Sequence, residues 1–123
     1  MEFEEISSRV IGCAIEVHRH LGPGLLESAY QHCLAYELTS RGISFELQHP
    51  MPVRYKGILL DCGYRIDMLV EKFLIVELKS VDVIKGIHEA QLLTYMKLAS
   101  IRVGLLINFN NTTLKAGIKR FVL

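Results

Sequence analysis

Apolar residues recur at three- and four-residue steps from the start of the chain: Ile6, Val10, Cys13, Val17 and Leu21, with Ile11, Ala14 and Ile15 widening the stripe. That period predicts a helix over residues 4–20, and Glu4 and Glu5 at its start suit the helix dipole. His18 and His20 are two apart, face different ways on a helix, and read as surface histidines, not as a metal-binding pair. Leu21-Gly22-Pro23-Gly24 stops the helix and begins another over residues 25–40, closed by Arg41 and by Gly42 as a left-handed terminator. On this second helix Glu27 shares a face with Tyr30, Gln31, Leu34 and Leu38. A carboxylate on so apolar a stripe needs a partner, unless it stands exposed at the first turn. From Ile43 the period falls to two. Strands are predicted over residues 43–48, then 53–55 and 58–60 about a Lys56-Gly57 turn, then on either side of Glu71-Lys72. Being neighbours in sequence, they suggest an antiparallel meander. Residues 84–99 form a third helix with Leu92, Leu93, Met96 and Ala99 as its core stripe; Gln91 and Tyr95 share one flank, with His88 one turn earlier. A buried strand follows over 103–107, so residues 74–107 make a strand–helix–strand unit with parallel strands. Residues 118–122 add a last short strand.

The stretch from Tyr64 to Ser80, YRIDMLVEKFLIVELKS, concentrates the charges that this pattern does not explain. Glu77 and Lys79 lie two apart and share one face of their strand, while Leu74, Val76 and Leu78 face the core. The place of Asp67 depends on the turn. A two-residue turn at Glu71-Lys72 pairs Val70 with Phe73 and leaves Asp67 opposite Val76, on the wrong face. A three-residue turn over residues 71–73 pairs Val70 with Leu74 and sets Asp67 opposite Glu77. Opposed side chains have Cβ atoms about 4.5–5.5 Å apart, where two carboxylates repel unless a cation lies between them. In that register at least one of the two acids is expected to titrate above its ordinary value.

Composition narrows the picture further. A chain of 123 residues, half of them hydrophobic, can build one core without staples, and residues 1–123 read as a single domain. Cys13, Cys33 and Cys62 are scattered and odd in number, which suits a reducing cytoplasm. Residues 1–5, MEFEE, are acidic where a signal peptide is basic, and no apolar run approaches the ~18 residues of a membrane span. The expectation is a soluble cytoplasmic protein with no membrane partner. Net charge is only +1, but residues 1–53 hold three Lys/Arg against seven Asp/Glu, net −4, and residues 54–123 hold eleven against six, net +5. That asymmetry permits a basic face around the acids.

Carboxylates and a lysine from separate elements, beside a helix flank offering Gln and Tyr, suit phosphodiester hydrolysis. Hard oxygen ligands select Mg²⁺ or Mn²⁺. Such an ion acidifies a bound water and neutralises charge on the phosphate; Lys79 would hold that water or offset the charge. No serine or cysteine has a base beside it for covalent catalysis, and no phosphate-binding Gly-rich loop with a following Lys-Ser/Thr is present.

These residues resemble a known family. Asp67 with Glu77-Leu78-Lys79, preceded by an acid on a helix, is similar to the PD-(D/E)XK nuclease superfamily, and Gln91-x3-Tyr95 resembles a Q-x3-Y element of its exonuclease and recombination branch. Gly24-x2-Glu27-x2-Tyr30 matches the signature of the GxxExxY proteins within that superfamily, and the resemblance runs on through ELKS, HEAQLLTYMKL and GLLINFN. It implies an α/β (α+β) restriction-endonuclease-like fold, a mixed central sheet flanked by helices on both sides. It implies a metal, Mg²⁺ or Mn²⁺, on Asp67, Glu77 and the Leu78 carbonyl, with Glu27 a further ligand directly or through water. Lys79 would position the attacking water or offset charge, Gln91 would orient Lys79 or a phosphate, Tyr95 would contact the nucleic-acid backbone with Tyr30 also on the substrate side, and His88 would either join them or make a structural hydrogen bond. The function so implied is a divalent-metal-dependent nuclease acting on DNA in repair, recombination or defence, as a homodimer or within a larger complex. The alternatives are a catalytically inactive protein of the same fold that binds nucleic acid or a protein partner, and a purely structural domain.

Overall fold

The structure, a computed structural model, describes residues 3–123. Met1 and Glu2 of the acidic start lie outside the described residues. Helix α1 (Phe3–Leu21) forms where the apolar period predicts it, and Ile6, Val10, Cys13, Ala14 and Val17 are buried along one face. Ile15 and Leu21 were expected in that stripe and are instead partly in solvent, because they lie at its margins. His18 also departs from expectation. It is buried, and its Nε2 lies 2.8 Å from the Asn111 carbonyl, whereas His20 is exposed and pairs with Glu16.

Helix α2 (Glu27–Ser40) begins two residues later than the pattern predicts. Gly22 and Gly24 adopt φ of +68° and +98°, a turn open to glycine, and Leu26 remains extended while its carbonyl accepts the Ala29 and Tyr30 N–H groups. The C-terminus closes as predicted. Gly42 is left-handed, its N–H reaches the Thr39 carbonyl, and the Ile43 N–H reaches Leu38, the paired bonds of a Schellman motif.

The strands are β1 (Phe45–Pro50), β2 (Val53–Tyr55), β3 (Ile58–Leu60), β4 (Arg65–Val70), β5 (Leu74–Lys79), β6 (Val103–Asn108) and β7 (Ile118–Val122), with helix α3 (Gly86–Ala99) between β5 and β6. Five of them form one mixed sheet in the order β1-β4-β5-β6-β7, in which only β5 and β6 run parallel. The simple meander is not formed. β1 pairs directly with β4, and β2 and β3 leave the sheet as a separate hairpin. Pro50 and Pro52 account for the departure, since neither can donate to a ladder; the Met51 N–H closes the base of the excursion on the Tyr64 carbonyl. The strand–helix–strand unit over β5, α3 and β6 has the expected parallel form.

Each face of the sheet is covered. Met68, Val70, Leu74, Val76, Leu78, Val103, Leu105 and Ile107 pack under α1 and α2, while Leu69, Ile75 and Leu106 pack with Leu92, Tyr95 and Met96 of α3. α3 lies close over Gly104, where a Cβ would fall 2.7 Å from Met96 Sδ and 3.0 Å from a Leu92 methyl. Helices on both sides of a mixed sheet are the architecture expected of a restriction-endonuclease-like fold. No described helix is long and apolar enough to cross a membrane.

Candidate active site

The turn between β4 and β5 settles the register. Residues 71–73 form the longer of the two possible connections, with Glu71 and Lys72 both at positive φ, and Ser44 tethers the Glu71 carboxylate through its N–H and hydroxyl. Val70 pairs with Leu74, Leu69 with Ile75 and Met68 with Val76. One step further Asp67 meets Glu77, and there side chains replace the backbone ladder. The Asp67 N–H donates to Glu77 Oε2 at 2.8 Å, and the Leu78 N–H donates to Asp67 Oδ2 at 2.9 Å. Two carboxylates are thereby pinned against each other by the strands that carry them.

Glu77 is 5 % exposed. Burial pushes its carboxyl up to about 8, the Asp67 charge adds to the rise, and the Asp67 N–H and the Lys79 ammonium only partly offset it. One acid of the pair therefore does titrate high. Lys79, two residues on, shares the α3-facing side of β5 and lies near enough for its charge to act on Glu77.

Gln48 completes this corner and was not anticipated. The β1–β4 register runs through Leu47 opposite Met68 and His49 opposite Ile66, so Gln48 stands opposite Asp67. Its φ of +50° turns it out of the strand, and its amide nitrogen lies 2.8 Å from Gln31 Oε1 and 3.5 Å from Asp67 Oδ1. A non-glycine residue held left-handed inside a strand costs about 1–2 kcal/mol, and such strain tends to gather at functional sites. A two-residue alternation carries no signal for it.

Glu27 is exposed at the first turn of α2, but it has a partner there: its Oε2 accepts the Ser80 N–H at 3.3 Å. The Ser80 hydroxyl donates to the Leu25 carbonyl at 2.6 Å. Buried Asn108 clamps the next residue, accepting the Val81 N–H and donating to the Val81 carbonyl. These contacts fix the end of β5 just beyond Lys79. They do not bring Glu27 into one cluster with the acid pair; among the described residues no three His, Cys, Asp or Glu side chains stand together as a metal cage.

On α3, Gln91 Nε2 donates to the Tyr95 hydroxyl at 3.3 Å. The Tyr95 ring is buried, and burial, then the charges of Glu77, Tyr64 and Asp67, raise its hydroxyl above the ordinary tyrosine value. His88 Nδ1 accepts the Lys85 N–H at the start of α3, so this histidine caps its own helix.

Tyr30, expected on the substrate side, is turned into the core. It is fully buried and stacked on Phe109 with ring centroids 4.3 Å apart. Its hydroxyl donates to the Gly22 carbonyl and accepts the Leu25 N–H, tying down the loop before Glu27. Each signature position thus acts locally: Gly24 permits the turn, Tyr30 holds it, and Glu27 reaches β5 from its end. Tyr30→Phe keeps the stack and loses both bonds, so it is expected to cost about 1–2 kcal/mol in urea unfolding and to leave KM for any substrate unchanged. A raised KM at unchanged stability would return Tyr30 to the substrate side.

Neither curated proteins nor solved structures match the chain. The family model of the PD-(D/E)XK nuclease superfamily matches residues 4–121, from the first turn of α1 into β7. An aspartate on one strand, set against glutamate-x-lysine on the next, agrees with that match, and the chain belongs to the PD-(D/E)XK nuclease superfamily.

Proposed function

We propose that the protein is a divalent-metal-dependent nuclease that hydrolyses phosphodiester bonds in DNA. The observation that carries this reading is the Asp67–Glu77 pair. Two carboxylates are held in contact, one of them buried and pushed up to about 8, at a cost to the fold that a bound cation would remove. The donor set fits Mg²⁺ or Mn²⁺: two hard carboxylates and the Leu78 carbonyl between Glu77 and Lys79, with room left to water and substrate phosphate, as such ions prefer. Glu27, fixed on Ser80 and outside the pair, would act through water. A cation bound there supplies charge neutralisation at the phosphate and a more acidic water. The chain supplies the rest. Lys79 faces the same side as Glu77 and would orient the attacking water or take up charge on the phosphate oxygens. Gln91 and Tyr95, bonded to each other above the acids, would place the strand, and Gln48 would hold Asp67 from the opposite side. Residues 1–123 would act as one domain, with a second copy or a larger complex supplying further specificity.

The direct test is calorimetric titration of Mg²⁺ and Mn²⁺ into wild type and Asp67→Ala, alone and with a short DNA duplex. Binding to wild type that disappears in the variant is expected. Equal heats from both proteins would place the cation elsewhere. No binding under either condition would favour a nuclease fold that binds nucleic acid or protein without cleaving.

A further inference from the structure

The β2–β3 hairpin leaves the main sheet and stands beside α3. Between it and α3 lies a cavity of about 550 Å³, walled by Val53 and Tyr64 on one side and by Ile87, His88, Tyr95 and Leu98 on the other. Val53 opposes Leu60 and Tyr55 opposes Ile58, so these four side chains share one face of the hairpin and extend the apolar wall outward from the cavity. Tyr55 and Ile58 are 57 % and 58 % exposed, and Tyr64 and Ile87 are exposed as well. A two-stranded hairpin is marginal alone, and so large an apolar face calls for an occupant.

Charge and position say which. Three cations lie on or next to the hairpin against one acid, Asp61, which pairs with Arg65 at 3.8 Å; Lys56 Nζ sits 5.4 Å over the Tyr55 ring, while Arg54, opposite Leu59, is on the other face. A second copy seated here about a two-fold axis would set this cationic patch against its own image. A polyanion with apolar faces suits it better. A duplex hides its base faces in the stack, whereas an unpaired strand offers them, and alternating aromatic and cationic side chains are the means by which single strands are held. The cleft also opens toward the acid site: Gln91 and Tyr95 line its wall, on the face of the sheet where Ile75 packs against α3 and where Glu77 lies two residues further along β5.

We propose that this cleft binds single-stranded nucleic acid, seating unpaired bases against Tyr64, Tyr55 and the α3 wall, with phosphates on Lys56 and Arg65, and that it leads the strand toward Asp67 and Glu77. The proposal rests on the nuclease reading for its direction but not for its binding. It is tested by fluorescence anisotropy with a labelled oligodeoxythymidylate and with the same strand annealed to oligodeoxyadenylate, each with chelator and again with Ca²⁺. The single strand is expected to bind at least about ten-fold tighter than the duplex. Tyr64→Ala and Lys56→Glu are each expected to weaken it about ten-fold. Lys56 is exposed, so its reversal leaves the fold intact even if loss of the Tyr64 ring disturbs α3. Duplex binding as tight as the single strand, no binding of either, or variants that bind like wild type would overturn the proposal. So would a dimer in sedimentation equilibrium that Ile58→Glu dissociates, because the cleft would then be a self-interface. The two readings fail separately. Single-strand binding that the variants weaken, without cleavage in Mg²⁺, retains the cleft and removes the nuclease. Cleavage of duplex DNA that Tyr64→Ala leaves unchanged does the reverse.

Discussion

Asp67→Asn and Glu77→Gln are each expected to lower the rate of Mg²⁺-dependent DNA cleavage by at least about 10²–10³-fold, the loss that follows removal of one charge-stabilising group at a reacting centre. The amides are better probes than alanine. Asp67 Oδ2 accepts the Leu78 N–H and Glu77 Oε2 accepts the Asp67 N–H, so either alanine would also leave a backbone donor short of its partner. Asparagine and glutamine keep an oxygen for that donor and remove only the charge. Both variants should therefore fold, and both should lose the heat of Mg²⁺ binding along with cleavage. The pair is also expected to be strongly non-additive, since either change alone already breaks the two-carboxylate site. The measurement is single-turnover cleavage with protein in excess, beside circular dichroism on the same preparations. A correctly folded Asp67→Asn variant that cleaves at the wild-type rate would show that the phosphate reacts somewhere else.

Much of this site was legible before any coordinates, and the reason is geometric. Strand parity puts Glu77 and Lys79 on one face whatever the rest of the fold does, and the turn offered only two registers for Asp67. The longer turn formed because Glu71 and Lys72 could both take positive φ while Ser44 held the Glu71 carboxylate. The α3 flank was equally plain, since Gln91 and Tyr95 meet at any four-residue helical step. What could not be read were departures from periodicity. Gln48 leaves the alternation through a single backbone angle, and no hydrophobic pattern encodes that. The β2–β3 hairpin has the same composition as a sheet strand, and only the flanking Pro50 and Pro52 hinted that it would turn away. Tyr30 shows the converse: its burial follows from the pattern, whatever its role in the signature. It shares a helix face with Leu34 and Leu38, so its burial was already implied, and a signature position is not thereby a contact with substrate. Glu27 was recognised as needing a partner, but Ser80 as that partner depends on how α2 docks beside β5, a tertiary fact.

The metal-free protein is expected to be more stable to urea at pH 5 than at pH 8, and Glu77 is expected to be the cause. Its carboxyl has an ordinary value of 4.5 and is pushed up to about 8 in the folded chain, first by burial and then by Asp67. Between those values the folded chain keeps a proton that the unfolded chain has released, so rising pH favours unfolding. The contribution is present in full below the ordinary value and is lost as pH climbs through the folded one. Its size is on the order of a few kcal/mol. Glu77→Gln cannot ionise, so the variant should match wild type near pH 5 and exceed it at pH 8, and the difference between the two proteins cancels the titrating groups remote from Glu77, leaving the Asp67–Glu77 pair. Mg²⁺ should act in the opposite sense, because it binds the deprotonated folded form: it raises the wild-type midpoint at pH 8, has little effect at pH 5, and does nothing for the variant at either. Urea midpoints at the two pH values, with chelator and with Mg²⁺, give all of these comparisons. A wild type whose midpoint tracks that of Glu77→Gln across the range would mean that Glu77 ionises as freely in the fold as outside it. The two carboxylates would then not be pressed together, and the case for a cation between them would fall with that contact.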